Sequence, residues 1–120
     1  MSAPAGLYNI VADQGSTFSR TVLWRDPAKK PIRLRGYTAR MKVRATASSP
    51  TVILELTTEN DGISLGETNG HINLYITDEV METIPEGKYL YDLELVAPSS
   101  NKYVYKILRG NFVVRTEVTR

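Results

Sequence analysis

The run Tyr89-Leu90-Tyr91-Asp92-Leu93-Glu94-Leu95 constrains the fold of this chain more tightly than any other stretch. Tyr89, Tyr91, Leu93 and Leu95 recur at period two on one side, and Leu90, Asp92 and Glu94 fall on the other. That is the pattern of a strand with one face buried. Pro85-Glu86-Gly87-Lys88 leads into it as a turn, so the strand is predicted over 88–96.

Similar segments recur with turn signals between them. Residues 7–11 form a first candidate, ended by Asp13-Gln14-Gly15-Ser16. In 17–25, Phe18, Val22 and Trp24 share a face on which Arg20 is the polar exception, and Asp26-Pro27 breaks the run. A basic turn, Lys29-Lys30-Pro31, precedes a short Ile32-Arg33-Leu34 strand. Residues 37–44 direct Tyr37, Ala39, Met41 and Val43 inward and Thr38, Arg40, Lys42 and Arg44 outward. Past the loop Ala47-Ser48-Ser49-Pro50, residues 51–57 turn Val52, Leu54 and Leu56 inward.

Asn60-Asp61-Gly62 and Asn69-Gly70 bracket Ile63-Ser64-Leu65 and lead to Ile72, Leu74 and Ile76, which reads as a meander of hairpins. Thr77-Asp78-Glu79 offers a helix cap and first-turn acids, and Val80, Met81 and Ile84 follow before Pro85, so a short helix is predicted near 78–84. Pro98-Ser99-Ser100-Asn101 makes a tip, 103–108 returns, and Arg109-Gly110 ahead of Phe112-Val113-Val114 predicts a bulge. Together these segments predict an all-β, antiparallel β-sandwich: one domain over 7–115, with an N-terminal arm at 1–6 and a C-terminal arm at 116–120.

Bulk properties narrow the function classes. A chain of 120 residues suits one domain with its own core, and 42% hydrophobic with 23% charged residues is an ordinary globular balance. No apolar run approaches the roughly 20 residues that span a bilayer. The opening Met1-Ser2-Ala3-Pro4-Ala5-Gly6 lacks the basic start and apolar core of a signal peptide, which predicts a cytosolic beginning. Zero cysteines exclude disulfides, thiolate zinc sites and Cys nucleophiles together.

The formal charge of +2 is mild, but its distribution is uneven. Lys29, Lys30, Arg33, Arg35, Arg40, Lys42 and Arg44 occur with no acid between them, whereas 55–94 holds ten of the thirteen acids and only Lys88 as a base. Arg40, Lys42 and Arg44 share a predicted strand face with Arg33 and Arg35 close in sequence, a basic surface suited to docking on an acidic protein surface. Stacking aromatics are missing from that face, which disfavours nucleic acid. Charges on a strand also discourage unwanted pairing.

Chemistry finds little support. His71 is the single histidine, and Glu59, Asn60 and Asp61 lack the spacing of a calcium loop. Asp92 and Glu94 share one strand face, where a carboxylate pair serves either acid–base chemistry or an ordinary solvated surface. No nucleophile triad, P-loop or dinucleotide fingerprint accompanies them. The expectation is a noncatalytic protein without metal, cofactor or small-molecule substrate. Among the seven tyrosines, Tyr37, Tyr89 and Tyr91 lie at inward positions, and Tyr103 and Tyr105, beside the Ser-rich tip, are the better contact residues.

Gly87-Lys88-Tyr89-Leu90-Tyr91 resembles the Gly-x-Tyr entry of an immunoglobulin-like strand F, whose Tyr forms a corner with upstream backbone. The resemblance implies an immunoglobulin-like sandwich, with Tyr91 where antibody domains carry Cys.

Four blocks resemble, in order, small β-sandwich proteins encoded among the virion genes of tailed bacteriophages, including the N-terminal attachment domains of baseplate and receptor-binding-protein adaptors. The blocks are Asp13-Gln14-Gly15-Ser16-Thr17-Phe18, Pro31-Ile32-Arg33-Leu34-Arg35-Gly36-Tyr37-Thr38-Ala39-Arg40-Met41, Gly87-Lys88-Tyr89-Leu90-Tyr91-Asp92-Leu93-Glu94-Leu95 and Leu108-Arg109-Gly110-Asn111-Phe112-Val113-Val114. What this implies is a noncatalytic virion component, made in the host bacterial cytoplasm, that links tail, baseplate or fibre parts. Its expected partners are other virion proteins and copies of itself, met through Arg33, Arg35, Arg40, Lys42, Arg44, Tyr103 and Tyr105. A capsid decoration or head-to-tail role and a glycan-binding module are the alternatives.

Overall fold

The computed structural model describes residues 6–98 and 103–116. Along the chain run β1 (Gly6–Leu7), β2 (Ile10–Asp13), β3 (Phe18–Leu23), β4 (Thr38–Arg44), β5 (Leu54–Thr57), β6 (Ile63–Leu65), β7 (His71–Ile76), the helix α1 (Asp78–Thr83), β8 (Gly87–Val96) and β9 (Val104–Arg115). The larger sheet has six strands in the order β1-β9-β8-β4-β5, with β2 also on β9, and the smaller has three in the order β3-β7-β6.

The period-two pattern sets which side of each strand is buried. Ala39, Met41 and Val43 of β4, Tyr89, Tyr91, Leu93 and Leu95 of β8, and Phe112 and Val114 of β9 bring the inner face of the larger sheet into one core with Ile72, Leu74 and Ile76 of β7. Phe18 of β3 meets Phe112 of β9 edge to face, ring centroids 6.0 Å apart, and so ties one sheet to the other. Each such large side chain contributes about 1.5–3 kcal/mol by leaving water.

Local chemistry fixes the helix and the entry to β8. The Thr77 side chain accepts from the Val80 N–H at 3.2 Å, and Met81 and Ile84 are buried while Val80 is exposed. Helix α1 carries the chain from the smaller sheet to the larger one. There the Tyr89 hydroxyl donates to the Pro85 carbonyl at 2.6 Å, the corner that the Gly-x-Tyr entry predicts.

Several expectations are corrected. The larger sheet is mixed rather than antiparallel, because β1 and β2 run parallel to β9. Alternation specifies a buried face and is silent on a partner's direction. Gly6, expected in the arm, pairs with Leu108, while 1–5 and 117–120 lie outside the described residues, as does the Ser99-Ser100-Asn101 part of the tip. Ile32-Arg33-Leu34 is a loop, preceded by one isolated bridge from Arg25 to Pro31 and anchored by buried Leu34. The segment expected over 51–57 is a strand only from Leu54.

The meander also fails at one step, since β5 and β6 belong to different sheets. Asn60 shapes that crossing: its side-chain oxygen accepts from the N–H groups of Thr57 and Gly62, both at 2.9 Å, and its amide donates to the Glu55 carbonyl at 3.0 Å. Finally, the irregularity in β9 falls at Ile107, between the Leu93–Leu108 and Glu94–Lys106 pairs, rather than at Arg109-Gly110. Gly110 answers a different need, because the Tyr8 carbonyl lies where its Cβ would stand.

Candidate functional site

Strand register builds the outer face of the larger sheet. Arg40, Lys42 and Arg44 of β4 stand opposite Glu94, Asp92 and Leu90 of β8, and Lys42 also faces Glu55 of β5. On the far side of β8, Asp92 faces Arg109 and Glu94 faces Lys106 of β9. Bases and acids read as separate surfaces in the sequence therefore share one surface in alternating columns.

The contacts are graded. Arg40 Nε donates to Glu94 Oε1 at 2.7 Å, and the Lys106 ammonium lies 3.4 Å from Glu94 and 3.8 Å from Asp92. Burial alone raises the Glu94 carboxyl, but the hydrogen bond and charge of Arg40, then those of Lys106, outweigh it and hold the group below its ordinary value. Arg44 donates to the Ser49 carbonyl at 2.8 Å. Among the described residues, Lys42 and Arg109 close no ion pair. Arg33 and Arg35 lie in the loop before β4, both exposed, with Arg35 3.6 Å from Glu67, so they are not part of this face's ladder.

A groove of about 420 Å³ opens on this face, lined by Leu7 and Leu90 together with Lys42, Arg44, Asp92, Lys106 and Arg109. Leu7 is 74% exposed and Leu90 37%. The groove thus joins apolar surface to four cations and one carboxylate.

A second cluster forms where β9 begins. Tyr103 and Tyr105 rings lie 4.5 Å apart, Tyr105 meets Trp24 at 5.3 Å, and Trp24 meets Tyr37 at 6.1 Å. Burial, and then the neighbouring Tyr105, raises the Tyr37 hydroxyl above its ordinary value. Trp24 and Tyr37 fall at inward positions by alternation, and both are only half-buried. No local pattern signals that they join Tyr103 and Tyr105, because the contact links segments distant along the chain.

The polar exception Arg20 also finds its reason. Its guanidinium donates to the Tyr8 hydroxyl at 2.6 Å and lies 5.2 Å from the centre of the Phe18 ring. The Tyr91 hydroxyl donates to the Tyr8 carbonyl at 2.5 Å, and Asn9 accepts from the Asn111 N–H at 3.0 Å. Burial foremost, then Tyr8, pushes the Tyr91 hydroxyl up to about 12, with Arg20 opposing. This network secures the Tyr8-Asn9 link between β1 and β2 to β8 and β9 and is structural.

The outer face of the smaller sheet differs in kind. Thr21 donates to Asn73 at 2.7 Å, and Asn73 donates to Ser64 at 3.3 Å, beside exposed Tyr75 and Leu23. His71 sits at the start of β7, opposite Leu23 and away from Asp92 and Glu94, which lie on the other sheet. Among the described residues no group of three His, Asp or Glu side chains could hold a metal ion. No helix among them is long and apolar enough to cross a membrane.

Neither a protein-family model nor a curated protein matches the chain.

Proposed function

We propose that this chain is a noncatalytic structural protein of a tailed-phage virion, linking tail, baseplate or fibre components through protein–protein contacts. The observation that carries the reading is the outer face of the larger sheet. There exposed Leu7 and Leu90 adjoin Lys42, Arg44 and Arg109, a mixed apolar and cationic surface of the sort that suits protein recognition. The sequence blocks that resemble virion sandwich proteins support it: three of them supply β4, β8 and β9, which are neighbours in this sheet.

The finer fold reading is an immunoglobulin-like sandwich. The order β9-β8-β4-β5 parallels the G-F-C-C′ sheet of such domains, and β3-β7-β6 parallels B-E-D, with Tyr89 making the corner before strand F. Quantitative mass spectrometry of intact particles tests the function. A fixed stoichiometry against the other virion proteins supports it, and a chain missing from particles overturns it.

The stacked aromatics favour glycan binding as a second reading, with Tyr103 as the most exposed contact. Binding on a glycan array that disappears in Tyr103→Ala would favour this reading over assembly.

A further inference from the structure

We infer that the groove on the larger sheet receives helix α1 of a second copy of this chain, in a head-to-tail contact. The inference rests on the assembly reading and commits it to a surface and an occupant. Two observations point to that pairing. The groove lining brings together Lys42, Arg44 and Arg109, which close no ion pair among the described residues, and Lys106, which Asp92 and Glu94 already hold, with Leu7 and Leu90 as exposed apolar surface. Helix α1 offers the complement: Asp78, Glu79 and Glu82 are exposed, its last turn has no base, and Val80 is 40% exposed beside them.

Helical geometry makes the complement usable. With Met81 facing the core, Glu79 and Glu82 stand three positions apart on the solvent side and Val80 on its flank. Carboxylates therefore meet the cations of the groove while the valine, on the other flank of Glu79, approaches the leucines. The helix cannot turn into the groove of its own chain, because Met81 and the Thr77 cap fix it between β7 and β8. Groove and helix are different patches, so the contact is heterologous and builds a ring or an open filament rather than a closed pair.

Opposite charges on two patches of one chain predict association that weakens with salt. Sedimentation of the purified chain at low salt, up to roughly millimolar concentration, reads it directly. The groove variant Arg44→Glu/Arg109→Glu and the helix variant Glu79→Lys/Glu82→Lys each weaken self-association by about tenfold or more. Mixing them restores association, since an acidic groove then meets a basic helix and the unaltered patches still match. Thermal melts establish that each variant folds; if the groove variant does not, the exposed helix variant carries the test with the salt series. A wild-type chain that stays monomeric throughout overturns the contact, as does a pair of variants that associate like wild type or fail to complement on mixing. Either result leaves the virion role standing, because that role is read from particle stoichiometry.

Discussion

The two sheets present unlike faces to solvent although the same alternation buries their inner sides. On the larger sheet, Arg40, Lys42, Asp92, Glu94 and Lys106 form a charged ladder that runs across neighbouring strands. On the smaller one, Thr21, Asn73 and Ser64 form an uncharged hydrogen-bonded row. Inward positions answer to packing, which any fitting apolar residue satisfies; outward positions are free to differ. Where they differ in chemistry, sensitivity to salt and pH differs as well.

The largest effects fall where the sheets agree. Leu93→Ala and Leu74→Ala remove fully buried side chains from opposite sheets of one core, so each costs about 2–5 kcal/mol in denaturant unfolding. A small cost for one of them would break the single-core description. Arg40→Ala, on the charged face, removes the hydrogen bond to Glu94 and lowers stability by about 1 kcal/mol, less in high salt. Asn73→Ala breaks the row on the neutral face and costs about 0.5 kcal/mol, equally at low and high salt. If both variants responded alike to salt, the chemical contrast between the faces would be lost.

The smallest effect is a dependence on pH. Glu94 lies below its ordinary value of 4.5, so its contribution is present above that value and is lost as pH falls through the lower, folded one. Unfolding curves below about pH 4.5 should therefore show a fall in stability that is reduced in Arg40→Ala and unchanged in Asn73→Ala. Tyr91 gives the opposite sense at high pH. Its hydroxyl is raised from 10.0 to about 12, so its contribution persists below 10.0 and is lost as pH rises through about 12, a loss that Tyr91→Phe removes.

How much was legible follows from the same contrast. The inner faces of β4, β7 and β8 could be read because burial enforces period two, and a one-residue slip would expose every apolar group. The helix could be read from Thr77 and the acids after it, and the corner from Gly87 and Tyr89. The parallel pairing of β1 and β2 could not, since alternation looks the same in either direction. Nor could the crossing between β5 and β6, because Asn60-Asp61-Gly62 signals a turn without naming the sheet that follows. For the site, alternation puts Arg40, Lys42 and Arg44 on one face, where the register also has them. Their opposition to Asp92 and Glu94 depends on the β4–β8 register, which links positions about fifty residues apart.

The proposed function requires that the charged face of the larger sheet, not the neutral face of the smaller one, meets partners in a particle. Covalent footprinting of the free chain and of intact particles tests it directly, with lysine labelling at Lys42 and Lys106 and tyrosine labelling at Tyr75. Both lysines are expected to become protected in the particle while Tyr75 stays reactive; protection of Tyr75 with both lysines still open would overturn the proposal.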